Sequence, residues 1–147
     1  IRVRVINEPL ISDYMNDEPI YIDTNVIMDF ILGRDRKSFS LFKKVLSCKY
    51  SITISKVVLE ELKFQGLEKE SKNFIALFTK NSKIKILNVS KEDKKKAKEI
   101  TDSKITHYND ALHKVLSSKN KDSYLVTKNT KDFISFRDIK VRKPDEL

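Results

Sequence analysis

The stretch Tyr21-Ile22-Asp23-Thr24-Asn25-Val26-Ile27-Met28-Asp29-Phe30 changes hydrophobic period partway along, and this change constrains the fold more than any other feature. Ile20, Tyr21 and Ile22 form a short apolar run that reads as a buried strand. Thr24 and Asn25 are good helix N-caps, and Val26, Ile27, Phe30 and Ile31 then recur at helical spacing. A strand that passes straight into a helix is the building unit of an α/β sheet. It also places Asp23 at the carboxyl end of a strand, beside the positive end of a helix, where open α/β sheets bind their ligands. Taken alone, Asp23 fits a helix cap as well as a ligand.

The alternation continues downstream. Gly33 marks a stop, and Ser38 to Lys49 reads as a helix with Phe39, Phe42, Val45 and Leu46 along one face. Ser51-Ile52-Thr53-Ile54 is a short strand, and Ser55 caps a helix that runs to about Gln65 before Gly66. Helical spacing returns over Glu68 to Lys80, and Ile84, Ile86 and Val89 alternate as a strand. Ser90 with Asp93 has the spacing of a capping box that opens a lysine-rich helix to about Thr101. A helix over Tyr108 to Ser118, a strand at Tyr124-Leu125-Val126, a short helix near Asp132 and an edge strand at Ile139 to Val141 complete the series. The expected fold class is α/β, built around a mainly parallel sheet. Residues 1–19 form an N-terminal extension in which Ile1-Arg2-Val3-Arg4-Val5 alternates like an edge strand and Pro9 to Met15 fits one or two helical turns.

Three further acids stand near predicted strand ends or helix starts. On a helical wheel Glu61 falls inside the arc of Val57, Val58, Leu59, Leu62 and Phe64, whereas Glu60 lies at its border. A carboxylate within a buried face must be paired, protonated or bound to a cation, so Glu61 belongs either to a lysine pair or to a site. Asp110 lies opposite its helix's apolar stripe, which would make it a surface residue, yet it sits in the first turn near a positive helix end. In Val126-Thr127-Lys128-Asn129-Thr130-Lys131-Asp132-Phe133 a strand again runs out into a helix start. Asn129 with Asp132 fits a cap and its third-residue partner.

The four segments Tyr21-Ile22-Asp23-Thr24-Asn25, Ser55 through Glu61-Leu62, Asn109-Asp110-Ala111 and Val126 through Asp132-Phe133, in this order, resemble a PIN domain. The likeness is greatest to the small VapC-type toxin ribonucleases and covers about residues 20 to 142. It implies a three-layer α/β/α sandwich, an acidic pocket for one or two Mg²⁺ or Mn²⁺ ions, and cleavage of RNA. Carried over by position, Asp23, Glu61 and Asp110 match the family's metal-site acids, and Asn25 and Thr127 match its polar neighbours. The fourth acidic position falls near Asn129, where this sequence departs from the pattern and Asp132 supplies the charge. The resemblance further implies a homodimer and, for a toxin, an antitoxin protein partner. A housekeeping PIN nuclease and a non-catalytic RNA-binding module are the alternative readings of the same motifs.

Composition agrees with that chemistry. Thirty Lys and Arg against 21 Asp and Glu give a net charge of +9. Such an excess favours a polyanionic partner, although lysine-rich, glycine-poor chains also arise where surface ion pairs add thermal stability. Arg34, Lys128, Lys131 and Arg137 flank the proposed crevice and are candidates for substrate phosphate contact, whereas Lys94-Lys95-Lys96 reads as a solvated helix face. The single cysteine, Cys48, excludes a disulfide framework or cysteine-based zinc site and is expected in the core. His107 and His113 are expected at the surface or in packing. No apolar run approaches the roughly 20 residues of a membrane span, and the expected setting is reducing cytoplasm without a membrane partner.

Overall fold

A computed structural model describes residues 17–103 and 106–147; the expectations for residues 1 to 15 lie outside them. Five strands form one parallel sheet, β1 (Glu18–Ile22), β2 (Tyr50–Ser55), β3 (Ile84–Leu87), β4 (Tyr124–Val126) and β5 (Val141–Arg142), in the order β3-β2-β1-β4-β5. The helices are α1 (Thr24–Ile31), α2 (Arg36–Leu46), α3 (Lys56–Phe64), α4 (Glu68–Lys80), α5 (Lys91–Ser103) and α6 (Tyr108–Lys119). Short 3-10 turns follow β4 at Thr130–Phe133 and close the chain at Pro144–Glu146.

The period-two alternation of the strands divides the interior into two layers. Ile20, Ile22, Ile52, Ile54 and Val126 face α1, α2, α3 and α4, where Phe42, Phe74 and Phe78 fill the core. Tyr21 and Leu125 point the other way, onto Ala97 of α5, Ala111, Leu112 and Leu116 of α6, and Phe133. The result is the expected three-layer α/β/α sandwich. In the sheet order, β2 lies on one side of β1 and β4 on the other, so the strand order switches side at β1 and opens a crevice at the strands' carboxyl ends.

Several local expectations are corrected. Ser90 and Asp93 do form a capping box, with Ser90 N–H on Asp93 Oδ2 at 2.9 Å and Asp93 N–H on Ser90 Oγ at 3.1 Å. Ser55 stands at the N-cap of α3 but makes no side-chain cap, because its hydroxyl is bonded to the Tyr21 hydroxyl at 2.8 Å. On α2 the buried side chains are Ser38, Leu41, Phe42 and Val45, while Phe39 and Leu46 are exposed, so the inward face is turned from the expected one. Cys48 is exposed, not core. α2 ends at Leu46, and Cys48 takes φ 67° in the left-handed turn that returns the Cys48 and Lys49 amides to Val45 and Lys44 carbonyls.

Candidate active site

Asp23 follows β1 directly, and its N–H extends the ladder onto the Val126 carbonyl at 2.9 Å. It is the N-cap of α1, the cap reading that the sequence allowed for Asp23 beside Thr24 and Asn25. Asp23 Oδ1 accepts from the Thr24 N–H at 2.8 Å and Oδ2 from the Thr127 hydroxyl at 2.9 Å, so the ends of β1 and β4 fix the carboxylate between them. Thr127 is buried, and its Oγ also accepts the Asn129 N–H at 3.1 Å, which starts the following turn. Asn129 acts through its backbone here, since it makes no side-chain cap. Asn25 is exposed at the second position of α1.

Thr24 carries the connection onward. Its hydroxyl donates to Glu61 Oε1 at 2.5 Å, and Asn109 Nδ2 donates to Glu61 Oε2 at 3.2 Å. The helical wheel was right that Glu61 turns inward, although Phe64, placed in the same arc, is 87% exposed. A third partner of Glu61 was not foreseen as part of a site. His113 of α6 is buried, with Nε2 3.1 Å from Glu61 Oε1 and 3.7 Å from Asp23 Oδ1. An ionised carboxylate only accepts, so Nε2 carries the hydrogen. On the other edge of the ring, Nδ1 is 2.6 Å from the Tyr21 hydroxyl, which continues to Ser55. His113 is thus a packing residue, as expected, and also the hub of the acidic cluster.

The charges of these groups are coupled. Burial pushes Glu61 up, but the hydrogen bond and charge of His113, then Thr24 and Asn109, bring it below the usual glutamate value. Burial pushes His113 down, but the Glu61 bond and the charges of Asp23, Glu61 and Asp110 raise it above an ordinary histidine. Burial of the Tyr21 hydroxyl raises it strongly. Asp110 lies in the first turn of α6, half-buried rather than on the open surface. Burial, then the charges of Asp23 and Asp132, push it up to about 6, against His113 and His107. Asp132 is exposed on the 3-10 turn, and with Asp110 and Lys131 it lines a cavity of about 270 Å³.

Asp23 and Glu61, far apart in sequence, therefore meet at His113, and Asp110, close enough to feel the charges of Asp23, Asp132 and His113, lies near them. Among the described residues, no three Asp, Glu, His or Cys side chains form a ready-made cation cage. A hard cation such as Mg²⁺ keeps several waters and takes only one or two carboxylates directly. The donor set fits such an ion, since Asp110 is half-buried and the charges of His113 and His107 only partly offset the repulsion of Asp23 and Asp132, which a cation relieves.

The expected phosphate contacts divide. Arg34 Nη2 is 3.0 Å from Asp29 Oδ1, and Lys128 Nζ is 2.7 Å from Asp29 Oδ2. Asp29 is only 2% exposed, so one buried carboxylate holds two cations from separate loops at the crevice edge. Lys131 lies beside Asp110 and Asp132, and Arg137 is exposed on the segment leading to β5. Of the two unforeseen residues, one left a signal in the sequence. His113 is three residues after Asp110, on the same side of a helix, whereas Asp29 lies outside the apolar arc of α1 and its burial is seen only in the structure.

A family model described as PIN domain matches residues 20–140. No curated protein matches the chain. Among solved structures, a toxin–antitoxin complex from Klebsiella pneumoniae is similar, at 18% identity and TM-score 0.63 over 85% of this chain and 97% of that one. VapBC2 from Rickettsia felis bound to a DNA fragment from its promoter is similar at 20% identity and TM-score 0.63, over 85% of this chain and 98% of that one. FitAcB from Neisseria gonorrhoeae matches at 18% identity and TM-score 0.64, over 87% and 99%. At these identities the likeness is one of fold.

Proposed function

Because this chain belongs to the PIN domain family, we propose that it is a metal-dependent endoribonuclease whose site is built from Asp23, Glu61, Asp110 and Asp132. The observation that carries this reading is the meeting of Asp23 and Glu61 at His113, with Asp110 within reach of their charge, where the strand order switches from one side of β1 to the other. When bound, Mg²⁺ or Mn²⁺ supplies a hydroxide nucleophile near neutral pH and neutralises charge on the phosphoryl oxygens.

The protein's part is to hold and orient. Asp23 and Asp110 would hold the ion directly, and Glu61 and Asp132 would act through water. Thr127 and the Thr24 amide fix the Asp23 carboxylate between the ends of β1 and β4. Thr24, Asn109 and His113 keep Glu61 ionised and in place, so it accepts a hydrogen bond from a water and orients it. Lys131, beside Asp110 and Asp132, is placed to neutralise a substrate phosphate.

The further reading, that the protein is the toxin of a toxin–antitoxin pair and is restrained by an antitoxin, is supported by similar structures described as a toxin–antitoxin complex and as VapBC assemblies. The net charge of +9 supports a nucleic-acid substrate. Purified protein incubated with single-stranded and structured RNA tests the activity. Cleavage with Mn²⁺ or Mg²⁺ that stops in EDTA is expected, and no cleavage of any RNA with either ion contradicts the proposal.

A further inference from the structure

A groove of about 850 Å³ opens between α3 and the start of α6, and Glu61 and Asn109 form part of its wall. It is therefore continuous with the acidic cluster. Phe64 lines it one helical turn beyond Glu61, and at 87% exposure its ring is almost wholly in solvent. Tyr108, 38% exposed, lines the same groove from α6, one residue before Asn109. A single exposed aromatic is ordinary on a protein surface. Two aromatics on one groove that leads to a cluster of carboxylates are less so. Exposed Lys56 and Lys94 stand on the groove as well, against the one further carboxylate of Glu60.

Resting on the nuclease reading above, we propose that this groove is the track for single-stranded RNA. Phe64 and Tyr108 stack on bases beside the scissile bond, and Lys56 and Lys94 meet backbone phosphates. The chemistry selects this occupant. Duplex RNA is held through its phosphates and 2′-hydroxyls across a shallow groove and has no use for exposed rings. Unpaired bases do, because every base offers a face to an aromatic ring, and lysines follow the strand's phosphates. Phe64 stands one helical turn from Glu61 and Tyr108 next to Glu61's partner Asn109, so the rings and the two lysines share one groove with the acid that a passing strand must reach.

The test is binding of a fluorescent oligoadenylate to the full chain in EDTA, where metal-dependent cleavage is silent. Phe64→Ala and Tyr108→Ala are expected to weaken binding by about 5- to 100-fold each. Phe64→Leu, which keeps apolar bulk without a ring, should lose most of the same factor. Duplex RNA should bind the variants and the wild type alike, and thermal melting of the variants should be unchanged.

Oligoadenylate affinity unchanged in both alanine variants, with a wild type that cleaves RNA, overturns the groove and leaves the nuclease reading standing. A wild type that neither binds nor cleaves RNA overturns both. If Phe64→Ala abolishes self-association while RNA affinity is untouched, the groove is an interface between copies and the RNA track is wrong.

Discussion

His113 Nε2 lies 3.1 Å from Glu61 Oε1 and joins, through one buried ring, a carboxylate of α3 to the hydroxyl of Tyr21 on β1. The ring fixes Glu61 from behind and sets the orientation of its carboxylate. His113→Ala leaves Glu61 held only by Thr24 and Asn109, and single-turnover RNA cleavage at saturating Mn²⁺ should fall about 10- to 100-fold. His113→Asn, whose amide can still donate to Glu61, should recover part of the loss. Wild-type rates in a folded His113→Ala protein would remove His113 from the site's support.

Arg34 and Lys128 share one buried partner, so their substitutions should not add. Arg34→Ala or Lys128→Ala alone leaves Asp29 with one cation, and each should cost about 1 kcal/mol or less, as half-exposed pairs do. The double variant strands a buried carboxylate, for which a loss of about 3–5 kcal/mol is expected. Urea unfolding of all four proteins measures this coupling, and simple additivity would show that Asp29 does not depend on the pair.

Asp122 gives a pH dependence of stability away from the site. Burial pushes it up to about 6, only partly offset by hydrogen bonds from Thr53 and Asn120 and the charge of Lys85. In the unfolded chain the group titrates at about 3.9, so between these values the folded state holds the extra proton. The stability this provides is full below about pH 4 and is lost as pH rises through about 6. After allowance for partial exposure, the loss is about 1–2 kcal/mol. Asp122→Asn should flatten this dependence in denaturation curves at pH 5 and pH 8, and an unaltered difference between those curves would refute the assignment.

Ser82 takes φ 55° in the turn after α4, where the Ser82 and Lys83 amides return to Thr79 and Phe78 carbonyls. A left-handed conformation costs a residue with a Cβ about 1 kcal/mol. Ser82→Gly should therefore raise stability by about that amount in thermal or urea unfolding, and a fall would mean that the serine side chain contributes more than its strain costs.

The sheet and its layers were legible because strand and helix periods alternate without ambiguity, and Asp23 was legible because a strand stopped there. Glu61 was found because a carboxylate amid apolar neighbours needs a partner. The wheel assigned Asp110 to the surface because it sees only its own helix, whereas the acids that face Asp110 come from β1 and the turn after β4. His113 and Asp29 were missed for the same reason, since their partners lie on other elements. The helix expected to run to Lys49 ends at Leu46, where a left-handed turn forms at Cys48 without glycine to mark it.

Direct titration of Mn²⁺ into wild type, Asp23→Asn and Asp110→Asn, followed by calorimetry with melting as a check on folding, tests the central claim most closely. Wild type should bind one or two ions, and each folded variant should lose at least one of them together with RNA cleavage. Equal Mn²⁺ binding by all three proteins would mean that Asp23 and Asp110 do not hold a cation.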